Sequence, residues 1–240
     1  RKAYLYRLAV MHEDMHGEAF TYMRQTLEYP APPPLAAPPR AGALPGDAAI
    51  PGGVFQLGAA TDAPFVFDNE KWAHPVEVPP FRIARAPVTN AEYAAFVEAG
   101  GYLERNLWSR QGWLWRSRTG AAHPLYWTRA DGGWQRRHFD TLVPLEPHAP
   151  VAHVGFWEAE AFCAWAGRRL PSEAEWEMAA SAEPAPGGIS AGKRRYPWGD
   201  APPVAEHANL DARFSGCADV AAFPAGDSAF GCRQMLGNVW

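Results

Sequence analysis

The first 29 residues contain no proline, and six prolines then fall between Pro30 and Pro39. No single element of regular structure can run across that boundary. Upstream of it, Leu5, Leu8, His12, Met15, His16, Ala19, Met23 and Leu27 recur at three- and four-residue steps, which is one face of a helix. The spacing predicts a helix over 2–28. Downstream, Pro30, Pro32, Pro33, Pro34, Pro38 and Pro39 cannot donate backbone hydrogen bonds. They predict an extended, semi-rigid linker over 30–47, with a reach of roughly 30 Å. A lone helix cannot bury its own apolar stripe. Residues 1–29 are therefore expected to be the last helix of a bundle, and the chain to begin inside a domain.

Residues 48–240 read as a second unit of short elements. Ile50–Gly58 and Val76–Ile83 carry strand-like runs interrupted by Gly and Pro. Thr89-Asn-Ala-Glu92 and Ser172-Glu-Ala-Glu175 are capping boxes that each open a helix, and a further helix is predicted over 156–166. Between them Trp108, Trp113, Trp115, Trp127 and Trp134 occupy a stretch without clear periodicity. With 24 prolines, 22 glycines and 11 tryptophans in 240 residues, the expected fold is a loop-rich α+β domain with an aromatic interior. The final run, Met235-Leu-Gly-Asn-Val-Trp240, reads as the start of a strand, so the chain is expected to be cut at both ends. A net charge of −4 argues against nucleic acid as a partner. No apolar run approaches the ~18–20 residues of a membrane span. Cys163, Cys217 and Cys232 share no CxxC spacing, which is expected of free thiols in a reducing cytoplasm.

His12 and His16 stand four apart on one helical face, so both imidazoles point the same way. On the apolar stripe they would face a bundle interior, where an unpaired imidazole is costly. Three readings remain open on the residues alone. The pair holds a metal with a third ligand from another helix, a set that suits ferrous iron with open positions. Alternatively, His12-Glu13-Asp14-Met15-His16 is the HExxH pattern of zinc peptidases, although the extended form would need Gly and His where Ala19 and Tyr22 stand. Or the rings are core histidines satisfied by hydrogen bonds. Of the other histidines, His74, His123, His138, His148, His153 and His207 show no ligand spacing.

Ile50-Pro-Gly-Gly-Val-Phe55, Pro87-Val-Thr-Asn-Ala-Glu-Tyr93, Arg169-Leu-Pro-Ser-Glu-Ala-Glu-Trp-Glu177, Tyr196-Pro-Trp-Gly-Asp200 and Gly237-Asn-Val-Trp240 occur in this order. The series resembles the formylglycine-generating-enzyme (sulfatase-modifying factor) domain, a C-type-lectin-like fold. Joined to a metal-binding helix of DinB type, it resembles the ergothioneine and ovothiol sulfoxide synthases, which use non-heme iron and O2. The resemblance implies Fe(2+) as cofactor, His12 and His16 as two of three histidine ligands, and a proton-donating tyrosine beyond residue 240. Ergothioneine-forming members tend to carry Gln before the second histidine, in contact with the histidine-derived substrate. Met15 stands there in this sequence. This implies the selenoneine synthase branch, with hercynine and a selenosugar as substrates and Met15 at the substrate. A thiol donor, giving a carbon–sulfur bond, is the alternative within the class, and a non-catalytic lectin-like binding module is the alternative outside it. The tryptophans offer faces for the trimethylammonium of hercynine.

Other polar groups carry weaker readings. Asp68, Asn69 and Glu70, or Asn209, Asp211 and Asn238, could ligate Ca²⁺ as in formylglycine-generating relatives. Turn and capping roles are the simpler expectation for both sets. Arg136-Arg-His138 and Lys193-Arg-Arg195 are small basic patches expected on solvated loops, and Tyr196–Asp200 is expected to be a packed turn. The cysteines do not sit in the context of the pair used by formylglycine-generating enzymes.

Overall fold

A computed structural model describes residues 3–32 and 36–239. Lys2, Pro33, Pro34 and Trp240, on which parts of the sequence reading fall, lie outside the described residues. Helix α1 spans Tyr4–Thr26 and ends where Glu28 turns left-handed at φ 58°, just ahead of Pro30. Much of its apolar surface is open to solvent: Leu5, Tyr6, Val10, Phe20, Met23 and Leu27 are all about half exposed or more, while Leu8, Met11 and Ala19 are half-buried. Gln25 is the only buried residue of the helix.

The proline-rich segment is extended, and it is also strapped to the domain that follows. Ala36 bridges Phe214, its carbonyl accepts from Ser215 N (3.2 Å), and Pro39 O accepts from Asp219 N (3.2 Å). Asp219 holds the end of the strap by accepting from the amides of Ala41 (2.9 Å) and Gly42 (3.0 Å). Prolines leave the carbonyls as the only backbone groups able to make such contacts.

Each strand region read from the sequence splits in two at its Pro/Gly break. Strand β1 (Asp47–Ile50) pairs antiparallel with β4 (Phe81–Ala84), and β2 (Gly53–Leu57) with β3 (His74–Val78). The breaks face each other. Gly52 has φ +74°, and a Cβ there would lie 2.6 Å from both Pro80 N and Val78 O, so only glycine fits. Helix α2 (Asn90–Glu98) opens on the Thr89/Glu92 box, with Glu92 N donating to Thr89 Oγ1 and Thr89 N to Glu92 Oε2. Helix α3 (Arg110–Thr119) and the sheet β5 (Trp127–Ala130), β6 (Gly133–His138) and β7 (Thr141–Pro144) fill the tryptophan-rich stretch. Helix α4 is Phe156–Trp165; α5 (Glu173–Ser181) follows the Ser172/Glu175 box. The hairpin β8 (Ala182–Ala185) and β9 (Gly188–Lys193) comes next.

Two cores result. Ile50, Phe55, Val78, Met178 and Ala179 pack where α5 covers β2 and β3. Tyr93, Phe96, Tyr102, Trp108, Trp127 and Phe162 form the aromatic core between α2, α4 and the three-stranded sheet. Tyr93 stacks on Phe162 at 5.3 Å, and Phe96 meets both rings edge-on. The mixed helix-and-strand architecture agrees with the expected α+β class. The strand expected from Met235 does not form among the described residues. Gly237 (φ 74°) and Asn238 (φ 68°) are left-handed, which a strand excludes, and 235–238 are bends. No helix among the described residues is long and apolar enough to cross a membrane.

Candidate functional site

Helical spacing brings the two imidazoles of α1 together. The Nε2 atoms of His12 and His16 lie 3.1 Å apart, and the rings meet edge-to-face with centroids 4.6 Å apart. Two adjacent ligand nitrogens, each ~2.1 Å from one metal ion and at right angles, would be separated by ~3.0 Å. The observed separation therefore suits either one shared proton or one shared cation. Phe20, one turn further on, stacks against His16 at 6.4 Å. Both histidines are exposed, where the sequence led us to expect burial, because nothing among the described residues covers that flank of α1. Met15 stands between them and is 48% exposed. Among the described residues no group of three or more His, Cys, Asp or Glu side chains is placed to hold a metal ion. The chain thus presents two imidazole nitrogens side by side on one helix.

The helix is fastened to the domain at both ends. At its start Tyr4 stacks on Phe65 (5.1 Å), the Lys71 ammonium sits 4.8 Å over the Tyr4 ring, and Arg7 donates to Pro64 O (2.5 Å). At its end Gln25 donates to Arg137 O (3.0 Å) and accepts from Phe139 N (2.6 Å). The Arg137 guanidinium returns a hydrogen bond to Gln25 O and covers the Tyr126 ring at 4.4 Å. The Tyr126 hydroxyl in turn meets Thr26 Oγ1 at 3.1 Å. Three non-glycine residues in this area are left-handed, Tyr126 (φ 72°), Phe139 (φ 56°) and His153 (φ 60°), and the His153 ring packs edge-on against Tyr126. Desolvation, with Arg136 and Arg137 adding their charge, holds the His153 imidazole below its usual value. His138 is lowered the same way, first by burial and then by Arg136. Sequence reading does not find this anchor: Gln25 and Arg137 are 112 positions apart, and the patch Arg136–His138, expected on a solvated loop, is instead half-buried on β6.

The remaining candidates resolve into structural roles. Arg136 forms a two-pronged pair with Glu146 at 2.7 Å on both arms, Arg194 pairs with Glu183, and Lys193 with Glu177. Asn209 and Asn238 do come together, Nδ2 to Oδ1 at 3.0 Å; Asn209 Nδ2 also donates to Gly216 O, and the Asn238 amide is spent on Asn209, the backbone of Ala218 and Gln234. Asp211 stays exposed beside them in sequence. Asp68–Glu70 is a solvent-facing 3₁₀ turn, and Tyr196–Asp200 a tight turn with Tyr196 stacked on Trp198 (5.2 Å) and Trp198 on His207 (4.4 Å). The tryptophan faces are largely used inside the domain. Trp108 and Trp127 are buried, Arg105 and Arg116 cover Trp113, and Arg129 covers Trp134. Burial pushes the thiols of Cys163, Cys217 and Cys232 up, so they stay protonated at neutral pH and are poor nucleophiles.

Residues 34–240 match the family described as "Sulfatase-modifying factor enzyme 1-like domain". A hercynine oxygenase from Mycolicibacterium thermoresistibile is 46% identical over 244 residues, covering 99% of this chain and 52% of the relative. Another, from Mycobacterium tuberculosis, is 43% identical over 245 residues, covering 99% of this chain and 56% of the relative. A formylglycine-generating enzyme from Thermomonospora curvata is 32% identical over 215 residues, covering 78% of this chain and 67% of the relative. The chain spans about half the length of the hercynine oxygenases it matches. Among solved structures, PvdO from Pseudomonas aeruginosa superposes with a TM-score of 0.51 at 24% identity, over 85% of this chain and 72% of that one, a likeness of fold alone.

Proposed function

The chain belongs to the sulfatase-modifying factor enzyme 1-like family, and from that premise we propose that it is part of an iron- and O2-dependent enzyme that joins a chalcogen atom to the imidazole of hercynine. The observation that carries this reading is coverage. Formylglycine-generating relatives account for 78% of the chain, whereas the hercynine oxygenases account for 99%, which leaves no room to omit the α1 histidines. Likeness to the hercynine oxygenases therefore extends to the helix with the candidate ligands as well as to the domain.

His12 and His16 would hold Fe(2+), as the 3.1 Å Nε2 separation allows, with a third histidine supplied from outside the described residues by a DinB-type bundle seated on the exposed face of α1. Bound there, the iron supplies the capacity to activate O2 and to accept a soft sulfur or selenium donor. The chain's own part is positional. Helical spacing fixes the two nitrogens, the anchors at Tyr4 and Gln25 fix the helix on the domain, and the half-exposed Met15 next to His16 would contact the substrate.

The finer assignment is selenium, taken from a selenosugar, and it rests on Met15 standing where ergothioneine-forming relatives tend to carry Gln. The carbon–sulfur reaction is the alternative. A competition assay on the full-length protein, loaded with Fe²⁺ in air, separates them. Hercynine is offered with a selenosugar, γ-glutamylcysteine and cysteine together, and products are read by mass spectrometry. A hercynyl–selenium adduct is expected. A sulfur adduct alone would replace selenium by sulfur, and no adduct despite bound iron would overturn the enzyme reading in favour of a binding module.

A further inference from the structure

An i, i+4 histidine pair is set by its own helix, but a reaction also needs that pair at a fixed place relative to the domain. Gln25 is the single buried residue of α1 and is only 8% exposed. Its amide donates to Arg137 O and accepts from Phe139 N, the two groups a neighbouring strand would engage. Arg137 closes the contact by donating to the Gln25 carbonyl. A buried amide satisfied on both sides tolerates little displacement, since sliding the helix would leave its polar partners unpaired. An apolar contact at the same point would slide freely.

We propose that Gln25 is a positioning residue: its side chain sets the angle at which α1 crosses the domain, and so where the His12–His16 pair stands. The catalytic consequence rests on the function proposed above; the geometric claim does not. His16 is twelve residues from the other anchor at Tyr4, or ~18 Å along the axis. Releasing the Gln25 end and tilting the helix by ~10° about Tyr4 would carry His16 by ~3 Å. Misplacement of ~1 Å can cost ~100-fold in rate.

The test uses the full-length protein with spin labels on unnatural side chains at positions 14 and 103, where Asp14 is an exposed polar residue on the flank of α1 opposite His12 and Leu103 is 69% exposed. One narrow distance is expected in the parent. In Gln25→Ala that distribution should broaden by several ångströms, iron per chain should stay constant, and kcat on hercynine should fall ten- to a hundredfold with KM changed less. An unchanged distance distribution in Gln25→Ala would overturn the proposal, whatever the activity. Should Gln25→Ala not fold, Gln25→Glu serves. It keeps the acceptor for Phe139 N and loses the donor to Arg137 O, and its distribution should fall between the other two; a distribution identical to the parent's would again overturn the proposal. A parent protein that binds iron but never converts hercynine would sink the proposed function alone, and the distances would still decide the role of Gln25.

Discussion

Helix α1 and the aromatic core are held by opposite means. In the core Tyr93, Phe96 and Tyr102 are all but inaccessible, and the Tyr102 hydroxyl donates to Glu158 Oε1 at 2.5 Å while Gly155 N donates to Oε2 at 2.7 Å. Burial raises the Glu158 carboxyl and both tyrosines, and the two hydroxyls and the carboxyl are hydrogen-bonded among themselves and to the backbone. Helix α1 buries one residue, leaves its apolar side open, and carries the two histidines that face solvent. The contrast separates two tasks. The domain provides a rigid body with little unsatisfied chemistry, while the helix provides unsatisfied chemistry with little stability of its own.

If that division is right, substitutions should split into those that unfold the protein and those that disarm it. Phe96→Ala should have the largest effect on folding, about 3–5 kcal/mol by urea denaturation, because the ring has no exposed surface and meets Tyr93, Tyr102, Phe162 and Trp165. Glu175→Gln comes next, at about 2 kcal/mol near pH 7. Arg169 hydrogen-bonds Glu175 through both arms (2.7 and 2.6 Å) and, with the Ser172 amide, depresses its carboxyl to about 2. A depressed folded-state value means the contribution is full above the unfolded value of ~4.3 and is lost as pH falls toward 2. The difference between parent and Glu175→Gln should therefore shrink over that window. Thr89→Ala, which removes the cap of α2, should cost about 1 kcal/mol. His12→Ala should change stability least, within ~0.5 kcal/mol, as expected for an exposed side chain.

What was legible in the sequence follows the range of the interactions involved. The Thr89 and Ser172 boxes are signals four residues long, and both helices begin where those signals stand. Helix α3 had comparable punctuation, with Ser109 accepting from Gly112 N and Gly120 left-handed at φ 67°, but its Trp and Arg residues hid the period. The geometry of the His12–His16 pair was readable because one helix sets it, whereas its exposure was not, since that depends on what lies beside the helix. The end near Met235 was misread because an apolar run outweighed the turn residues Gly237 and Asn238. Nothing local announces the Gln25–Arg137 contact, which exists only once β6 and α1 have come together.

The central claim is that the two exposed histidines of α1 hold a metal and contribute nothing to the fold. Iron per chain and the thermal midpoint, measured side by side on the full-length protein and on its His12→Ala variant, test it most directly. Loss of iron, with the midpoints of the metal-free parent and variant equal, is the result predicted. Iron retained at the parent's stoichiometry in His12→Ala would contradict it.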